Sequence, residues 1–241
     1  MNTRSQLICV WWGYAFFPVY LTGFLIAGYL PIPSPAWDAA QVAAFFDQNQ
    51  TRILIGHLTC VIASAFLVPW AVAIFMQMIR IEAKPSVLSY FQLTSGALGV
   101  VFFMIPSCMW ATIAFRSGHN PDTMQMMNDF AWILWAISWP PFAFQAVVIG
   151  LVVLFAKHDQ NVIPRWAAYV SIWLGIAMVP ASLTVFFKTG PFAWNGLIAV
   201  YLPLVIYSIW YNSIFYVIRK AILQQTRQPD PEVVADRLIT A

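Results

Sequence analysis

The sequence contains few charged residues. Of its 241 residues, 9% are Asp, Glu, Lys or Arg and 61% are hydrophobic, whereas soluble domains carry about 25% charged residues. So few charges do not cover a folded surface that faces water. The apolar residues come instead in long runs, and a run of about 20 such residues is typical of a membrane-spanning helix.

Several chemistries lack the residues that they need. The three histidines, His57, His119 and His158, are far apart in sequence, and a zinc site needs three or four ligands in one place, so we predict neither a metal nor another cofactor. There is no Gly-rich phosphate loop, dinucleotide fingerprint or GxSxG motif. A basic patch with interleaved aromatic residues is also missing, so we do not expect a nucleic-acid partner.

Cysteine is scarce as well. The three cysteines, Cys9, Cys60 and Cys108, lie inside apolar runs, where a thiol packs as a small hydrophobe. A disulfide between Cys60 and Cys108 requires that their helices touch at equal depth.

Six apolar runs predict an all-α membrane protein. They cover residues 8–30, 53–79, 87–115, 130–156, 166–187 and 197–218. The apolar core of the first run is longer than the 7–15 residues of a typical secretory signal, so we expect it to be a span. Residues 1–220 are therefore predicted to form a six-helix transmembrane bundle, and residues 221–241 a polar cytoplasmic tail.

The basic residues predict the orientation of the bundle. With six spans, nine of the twelve Lys and Arg residues fall on the side that holds both termini, and Arg52, Arg116 and Lys188 fall on the other side. Because Lys and Arg are in excess on the cytoplasmic side of membranes, both termini are predicted to be cytoplasmic.

The segment between the first two spans predicts a short outer amphipathic helix. Ser34 followed by Pro35 resembles a helix start. Trp37 and Phe46 share one face of that helix with other apolar residues, and residues 49–52 end it. Such a helix lies on the membrane surface or caps the bundle.

Every predicted span contains an interior proline. The prolines are Pro18, Pro69, Pro106, Pro140 with Pro141, Pro180 and Pro203. Proline removes one backbone donor, and in lipid the freed carbonyl needs a partner inside the protein; Ser64, Ser107 and Ser138 are candidate donors. Bends at these prolines would open a cavity in the outer half of the bundle. The alternative is that spanning helices simply contain more proline than soluble ones.

Candidate ligand-binding residues lie on the fourth span. Trp132, Trp135 and Trp139 are spaced i, i+3, i+7 and form either one wall of a cavity or a packing face. Gln145 is a buried amide that either bonds to another helix or contacts the ligand, and a proline-freed carbonyl is one candidate partner. The opposite wall is predicted to come from the third span, at Phe103, Met104, Met109 and Trp110.

The outer ends of the spans carry a second set of candidates. Arg52, His57, Asp129 and Lys188 would rim a vestibule that attracts an anionic or amphipathic molecule, or they would only anchor the bundle at the membrane surface. Lys188 precedes a Gly-Pro turn and Trp194, so the two either make a cation–π contact or belong to a structural corner.

Five stretches together resemble an uncharacterised family of bacterial six-span membrane proteins. They are TRILIGH, PWAVAIFMQMIRIE, LSYFQLTSGALG, PRWAAYVSIWLG and FFKTGPFAWNG, and the resemblance extends to about Lys220. It implies six spans in a bacterial inner membrane, and it implies no chemistry.

Three classes of function remain open. The first is binding or transport of a small hydrophobic or amphipathic molecule in an outer-half cavity. The second is a structural or accessory subunit that contacts membrane lipid and either a partner membrane subunit or further copies of itself. The third is a membrane-embedded enzyme acting on a lipid-like substrate, with His57 and Asp129 as acid and base. We favour the first, and we assign no catalytic residue.

Overall fold

The computed structural model describes residues 3–116, 118, 120–156 and 162–225, and within these ranges every regular element is a helix. Eight α-helices follow one another: α1 (Thr3–Ala27), α2 (Ala39–Ser64), α3 (Leu67–Met78), α4 (Val87–Phe115), α5 (Pro121–Ile137), α6 (Pro140–Phe155), α7 (Arg165–Ala177) and α8 (Leu202–Gln225). A 3₁₀ segment, Val179–Phe186, follows α7, and a π segment, Leu197–Tyr201, precedes α8.

Six helical segments are long and apolar enough to cross a membrane, which confirms that part of the sequence prediction. They are Thr3–Ala27, Ala39–Met78, Val87–Phe115, Pro121–Phe155, Arg165–Phe186 and Leu197–Gln225. The last segment continues to Gln225, so the first five residues of the predicted tail belong to α8. The rest of the predicted tail, residues 226–241, lies outside the described residues.

The prolines fall into two groups. Pro18 and Pro106 lie inside the continuous helices α1 and α4. The other four spans change or lose their helical form within a few residues before a proline. These changes lie between α2 and α3, between α5 and α6, at the start of the 3₁₀ segment and at the end of the π segment. Proline explains them, because it removes a helical N–H and clashes with the preceding turn.

Two of the three candidate hydroxyl groups do not serve the freed carbonyls as predicted. Ser64 donates to the carbonyl of Val61 at 2.6 Å and Ser107 to that of Phe103 at 2.8 Å. The carbonyls freed by Pro69 and Pro106 are different ones, because a helical serine reaches only the carbonyl three or four residues before itself.

The predicted helix start at Ser34 is wrong. Asp38 is the N-cap of α2: its carboxylate accepts from Gln41 N at 2.8 Å, and its own N–H donates to the Gln41 side chain at 3.0 Å. The Ser34 hydroxyl accepts from Ala36 N within a turn. The helix then passes through Asn49, whose φ of −117° is not helical, and continues into the second span. The outer segment is therefore not a separate helix.

Small residues let α1 and α2 approach closely. A Cβ atom on Gly23 would lie 2.6 Å from the carbonyl oxygen of Gly56, and one on Gly56 would lie 2.7 Å from the Cβ of Ala27. Contacts between small residues are a common way for membrane helices to associate. Cys60 is buried at this interface and Cys108 is exposed, and both thiols are free, so they do not form the disulfide considered above.

One end of the bundle, which we call the tail end, is held by amide side chains. Gln77 donates to Gln6 and accepts from Arg80, each at 2.6 Å, and the amide of Gln225 contacts the same group. Burial lowers the pKa of the Arg80 guanidinium from its ordinary value. This network joins α1, α3 and α8.

The opposite end, which we call the capped end, is covered by the connections between spans. Trp194 Nε1 donates to the carbonyl of Pro33 at 2.9 Å, and Gln125 Nε2 donates to that of Trp37 at 2.9 Å. The segment after α1 is thereby fixed to α5 and to the connection that precedes the π segment.

Candidate functional site: an aromatic cavity at the helix interruptions

A partly open cavity of about 150 Å³ lies inside the bundle toward the capped end. Its wall is formed by α1 and the segment that follows it, by α4 and by the parts of three spans where the helix is interrupted. Of its 22 described lining residues, eleven are aromatic: Phe16, Phe17, Tyr20, Phe24, Phe102, Phe103, Trp135, Trp139, Phe142, Tyr201 and Tyr207.

The cavity coincides with three of the four interruptions. Ser138 lies between α5 and α6, Met178 between α7 and the 3₁₀ segment, and Ala199 in the π segment, and all three line the cavity. Single turns of π-helix are frequent at functional sites. Where a helix departs from its regular path, neighbouring helices lose their close packing, and space remains between them.

The wall is apolar and uncharged. None of the 22 described lining residues is Asp, Glu, Lys, Arg or His. Its polar side chains are those of three tyrosines and one serine, together with the indoles of Trp135 and Trp139. Phe102, Ala136 and Ala199 belong to the lining, and Pro106, Pro140 and Pro203 remove the N–H groups that would bond to their carbonyls in a regular helix. An apolar cavity of this size holds a benzene-sized molecule.

The predicted tryptophan stripe is divided by the interruption. Trp135 and Trp139 line the cavity, but Trp139 follows the end of α5 and donates its indole N–H to Ser182 at 3.0 Å. Trp132 is fully buried and lies outside the lining. Its ring stacks on Trp194, with centroids 6.2 Å apart and planes 13° apart.

Gln145 does not line the cavity. Its side chain packs on α4, where a Cβ atom on Gly96 would lie 2.5 Å from its amide nitrogen. Within the described part of the chain, that nitrogen has no hydrogen-bond partner. The predicted bond from Gln145 to a proline-freed carbonyl is therefore absent from this part of the structure, because the amide faces a helix surface made of small residues.

His57 does not lie at a rim. It is fully buried, and its ring is 4.8 Å from that of Tyr29 and 4.9 Å from that of Trp110. Neither ring nitrogen has a hydrogen-bond partner among the residues described. The acid–base pair with Asp129 that we considered for an enzyme is thus not formed, because aromatic rings surround the imidazole.

The remaining rim candidates stay at the capped end and outside the cavity wall. The guanidinium of Arg52 donates to the carbonyl of Ile26 at 3.2 Å. Lys188 is exposed and lies close enough to half-buried Asp129 for a favourable electrostatic interaction. Trp194 is 5% exposed and packs on Trp132, and the turn before it contains Gly190 at φ 83°. Trp194 and the turn before it therefore form a structural corner of the bundle.

Most of the wall was missed by sequence reasoning. Of the four residues predicted for the opposite wall, Phe103 lines the cavity, whereas Met104, Met109 and Trp110 do not. The larger omission is α1, which contributes five residues. A signal was available there, since Phe16, Tyr20 and Phe24 recur every four residues and so share one helix face.

Comparison of the chain with protein-family models, with curated proteins and with solved structures found no match. The resemblance to a bacterial six-span family therefore stays a prediction. Among the described residues, no group of three or more His, Cys, Asp or Glu is placed to hold a metal ion; His119 and His158 lie outside these residues.

Proposed function

We propose that this protein binds a small, uncharged, hydrophobic or amphipathic molecule in the aromatic cavity. The observation that carries the proposal is the composition of the wall: half of the lining is aromatic, and no described lining residue is charged. Aromatic and aliphatic walls with a few polar groups are typical of small-molecule sites.

The interruptions give this cavity a structural cause. We infer that the proline-containing spans bend at these points and separate there. The segment that starts α2 closes the capped end: Val42 and Phe46 are buried, whereas Gln41 and Gln48 are exposed. This distribution fits an amphipathic cover over the bundle.

The basic residues support an orientation for this site. In the described part of the chain, the tail end carries Arg4, Arg80, Lys84, Arg165, Arg219 and Lys220, and the capped end carries Arg52, Arg116 and Lys188. With positive charge inside, the tail end and both termini are cytoplasmic, and the cavity lies in the outer half of a bacterial inner membrane.

Binding, rather than transport, is the part of the function that the cavity supports. The buried tail-end amides, with Trp70 and Tyr211 deeper in the core, close the bundle below the cavity. Transport would require that this packing opens in a second state.

The test is saturable binding of an apolar probe, 4-fluorocumene, followed by ¹⁹F NMR in lipid nanodiscs with empty nanodiscs as the reference. Ala136→Phe places a ring in the cavity, since Ala136 is a buried lining residue. Ala44→Phe adds the same ring at an exposed position outside the lining and is the matched control. We expect saturable binding to the wild type and to Ala44→Phe, and its loss in Ala136→Phe.

The proposal is overturned if the wild type shows no saturable binding, or if folded Ala136→Phe binds the probe as the wild type does. Ala181→Leu is a second cavity-filling variant, because Ala181 is a buried lining residue on another span. It keeps the test decisive if Ala136→Phe does not fold.

A further inference from the structure

Next to the cavity lies a group of four buried side chains that we call the polar cluster: Tyr29, His57, Trp110 and Trp132. All four are 0% exposed. Within the part of the chain that the structure describes, none of their polar side-chain atoms has a hydrogen-bond partner. Buried polar groups in native proteins nearly always have one, so five unpaired atoms in one place need an explanation.

The four rings form one contact group. The ring centroids of Tyr29 and His57 are 4.8 Å apart, those of His57 and Trp110 are 4.9 Å apart, and those of Trp110 and Trp132 are 4.7 Å apart. Tyr29 and Trp132 close the group at 5.3 Å. The residues come from four separate parts of the chain, which are the segment after α1 and the helices α2, α4 and α5.

The cluster has more donors than acceptors. Each indole supplies a donor only, a neutral imidazole supplies one donor and one acceptor, and a phenol supplies one donor and one acceptor oxygen. Four donors therefore face two acceptor atoms. Even if both acceptors were used within the cluster, two N–H or O–H groups would remain unpaired. A group that completes the hydrogen bonding of the cluster must therefore supply an oxygen atom that accepts hydrogen bonds.

The ring of Phe24 contacts all four residues of this cluster and also belongs to the cavity wall. The Phe24 centroid lies 5.7 Å from Tyr29, 6.0 Å from His57, 5.9 Å from Trp110 and 6.2 Å from Trp132. Phe24 is also part of the cavity lining. Its side chain thus contacts the four unpaired residues on one side and open space on the other.

We propose that the molecule bound in the cavity carries a hydrogen-bond-accepting oxygen, as an aryl ketone does, and that this oxygen reaches the polar cluster when Phe24 rotates. The apolar body of the molecule occupies the aromatic cavity, and Tyr29, His57 and the indoles bind its oxygen. This inference rests on the proposed function and adds the chemical class of the ligand. A water molecule offers the same acceptor chemistry, and the experiment distinguishes the two sources.

The test compares two probes of nearly the same shape, 4-fluoroacetophenone and 4-fluorocumene, by ¹⁹F NMR with protein in nanodiscs. Affinities are expressed relative to probe dissolved in the lipid. A net hydrogen bond in a buried site corresponds to about a 10-fold change in affinity. We expect the ketone to bind the wild type about 10-fold more tightly than the hydrocarbon.

Two matched variants assign that preference to the cluster. Tyr29→Phe removes one unpaired hydroxyl, and we expect it to weaken ketone binding about 10-fold without changing hydrocarbon binding. Tyr211→Phe removes the same atom from a hydroxyl that already donates to the carbonyl of Gly13, and we expect it to leave the preference unchanged. Trp132→Phe, which removes an unpaired N–H, is the second cluster variant.

The inference is overturned if the wild type binds both probes equally, which is the result expected when water alone completes the cluster. It is also overturned if Tyr29→Phe and Trp132→Phe keep the full preference for the ketone. Failure of the proposed function is a different result, since then neither probe binds saturably to the wild type.

Discussion

The clearest stability prediction compares two buried tyrosines. Tyr29 and Tyr211 are 0% and 1% exposed, so each hydroxyl has left water. That of Tyr211 donates to the carbonyl of Gly13 at 2.5 Å, whereas that of Tyr29 has no partner among the described residues. The same substitution, Tyr→Phe, should therefore have opposite effects at the two positions.

The expected magnitudes follow from these contacts. Tyr211→Phe removes the hydrogen bond from the hydroxyl to the Gly13 carbonyl, which costs about 1 kcal/mol of the free energy of unfolding. Tyr29→Phe removes a desolvated hydroxyl that has no hydrogen-bond partner among the described residues, so the variant should be as stable as the wild type or more stable by up to about 1 kcal/mol. The two variants should differ by roughly 1–2 kcal/mol.

The assay is reversible unfolding in mild detergent by titration with dodecyl sulfate, followed by circular dichroism without added ligand. Tyr216→Phe, at a tyrosine that is 57% exposed, gives the background effect of the substitution. If Tyr29→Phe loses as much stability as Tyr211→Phe, the Tyr29 hydroxyl has a partner and the reasoning about the polar cluster is refuted.

Two further predictions concern packing. Gly23→Ala should lower the free energy of unfolding by at least about 2 kcal/mol, because the added Cβ would lie 2.6 Å from the Gly56 carbonyl and would overlap the Cys60 sulfur; the detergent titration measures it. The indole N–H of Trp194 donates to the carbonyl of Pro33, so Trp194→Phe should release the segment that contains Pro33 from its place at the capped end. Limited proteolysis should then cleave the chain within residues 28–38 faster than in the wild type.

Each of these has a control. At Gly118 an added Cβ would meet no atom within 4 Å, but the residue has a φ of 79°, so Gly118→Ala should cost only about 1 kcal/mol of the free energy of unfolding. If both glycine variants lose the same free energy of unfolding, the contact between α1 and α2 is not close. Trp173→Phe, at a tryptophan that is 49% exposed, should leave proteolysis unchanged. Unchanged cleavage in Trp194→Phe would mean that the indole does not fix the loop.

The number of spans could be predicted from the sequence because one physical quantity determines it. A helix needs about 20 apolar residues to cross a bilayer, and runs of that length are visible without knowledge of their neighbours. The ends of the spans are less visible. Asn49 lies between two helical parts that are joined in the structure, although the polar residues around it resemble an end.

The candidate site was harder to predict because it depends on which faces meet. The prolines predicted irregular helices, and the cavity lies at three of the interruptions. Sequence position alone put His57 at a rim, whereas tertiary packing places it between Tyr29 and Trp110. Gln145 has the depth expected for a ligand contact but faces Gly96 instead. The depth of a side chain in the bundle follows from its position along the helix. The direction in which the side chain points depends instead on how the helix packs against its neighbours.

The most direct test of a ligand site in the aromatic cavity is a high-resolution cryo-EM map of the protein extracted with its native lipids into nanodiscs. We expect non-protein density between Phe103, Trp139 and Tyr207, at the level where the helices are interrupted. A map in which these side chains close on one another, with no space or density between them, would contradict the account.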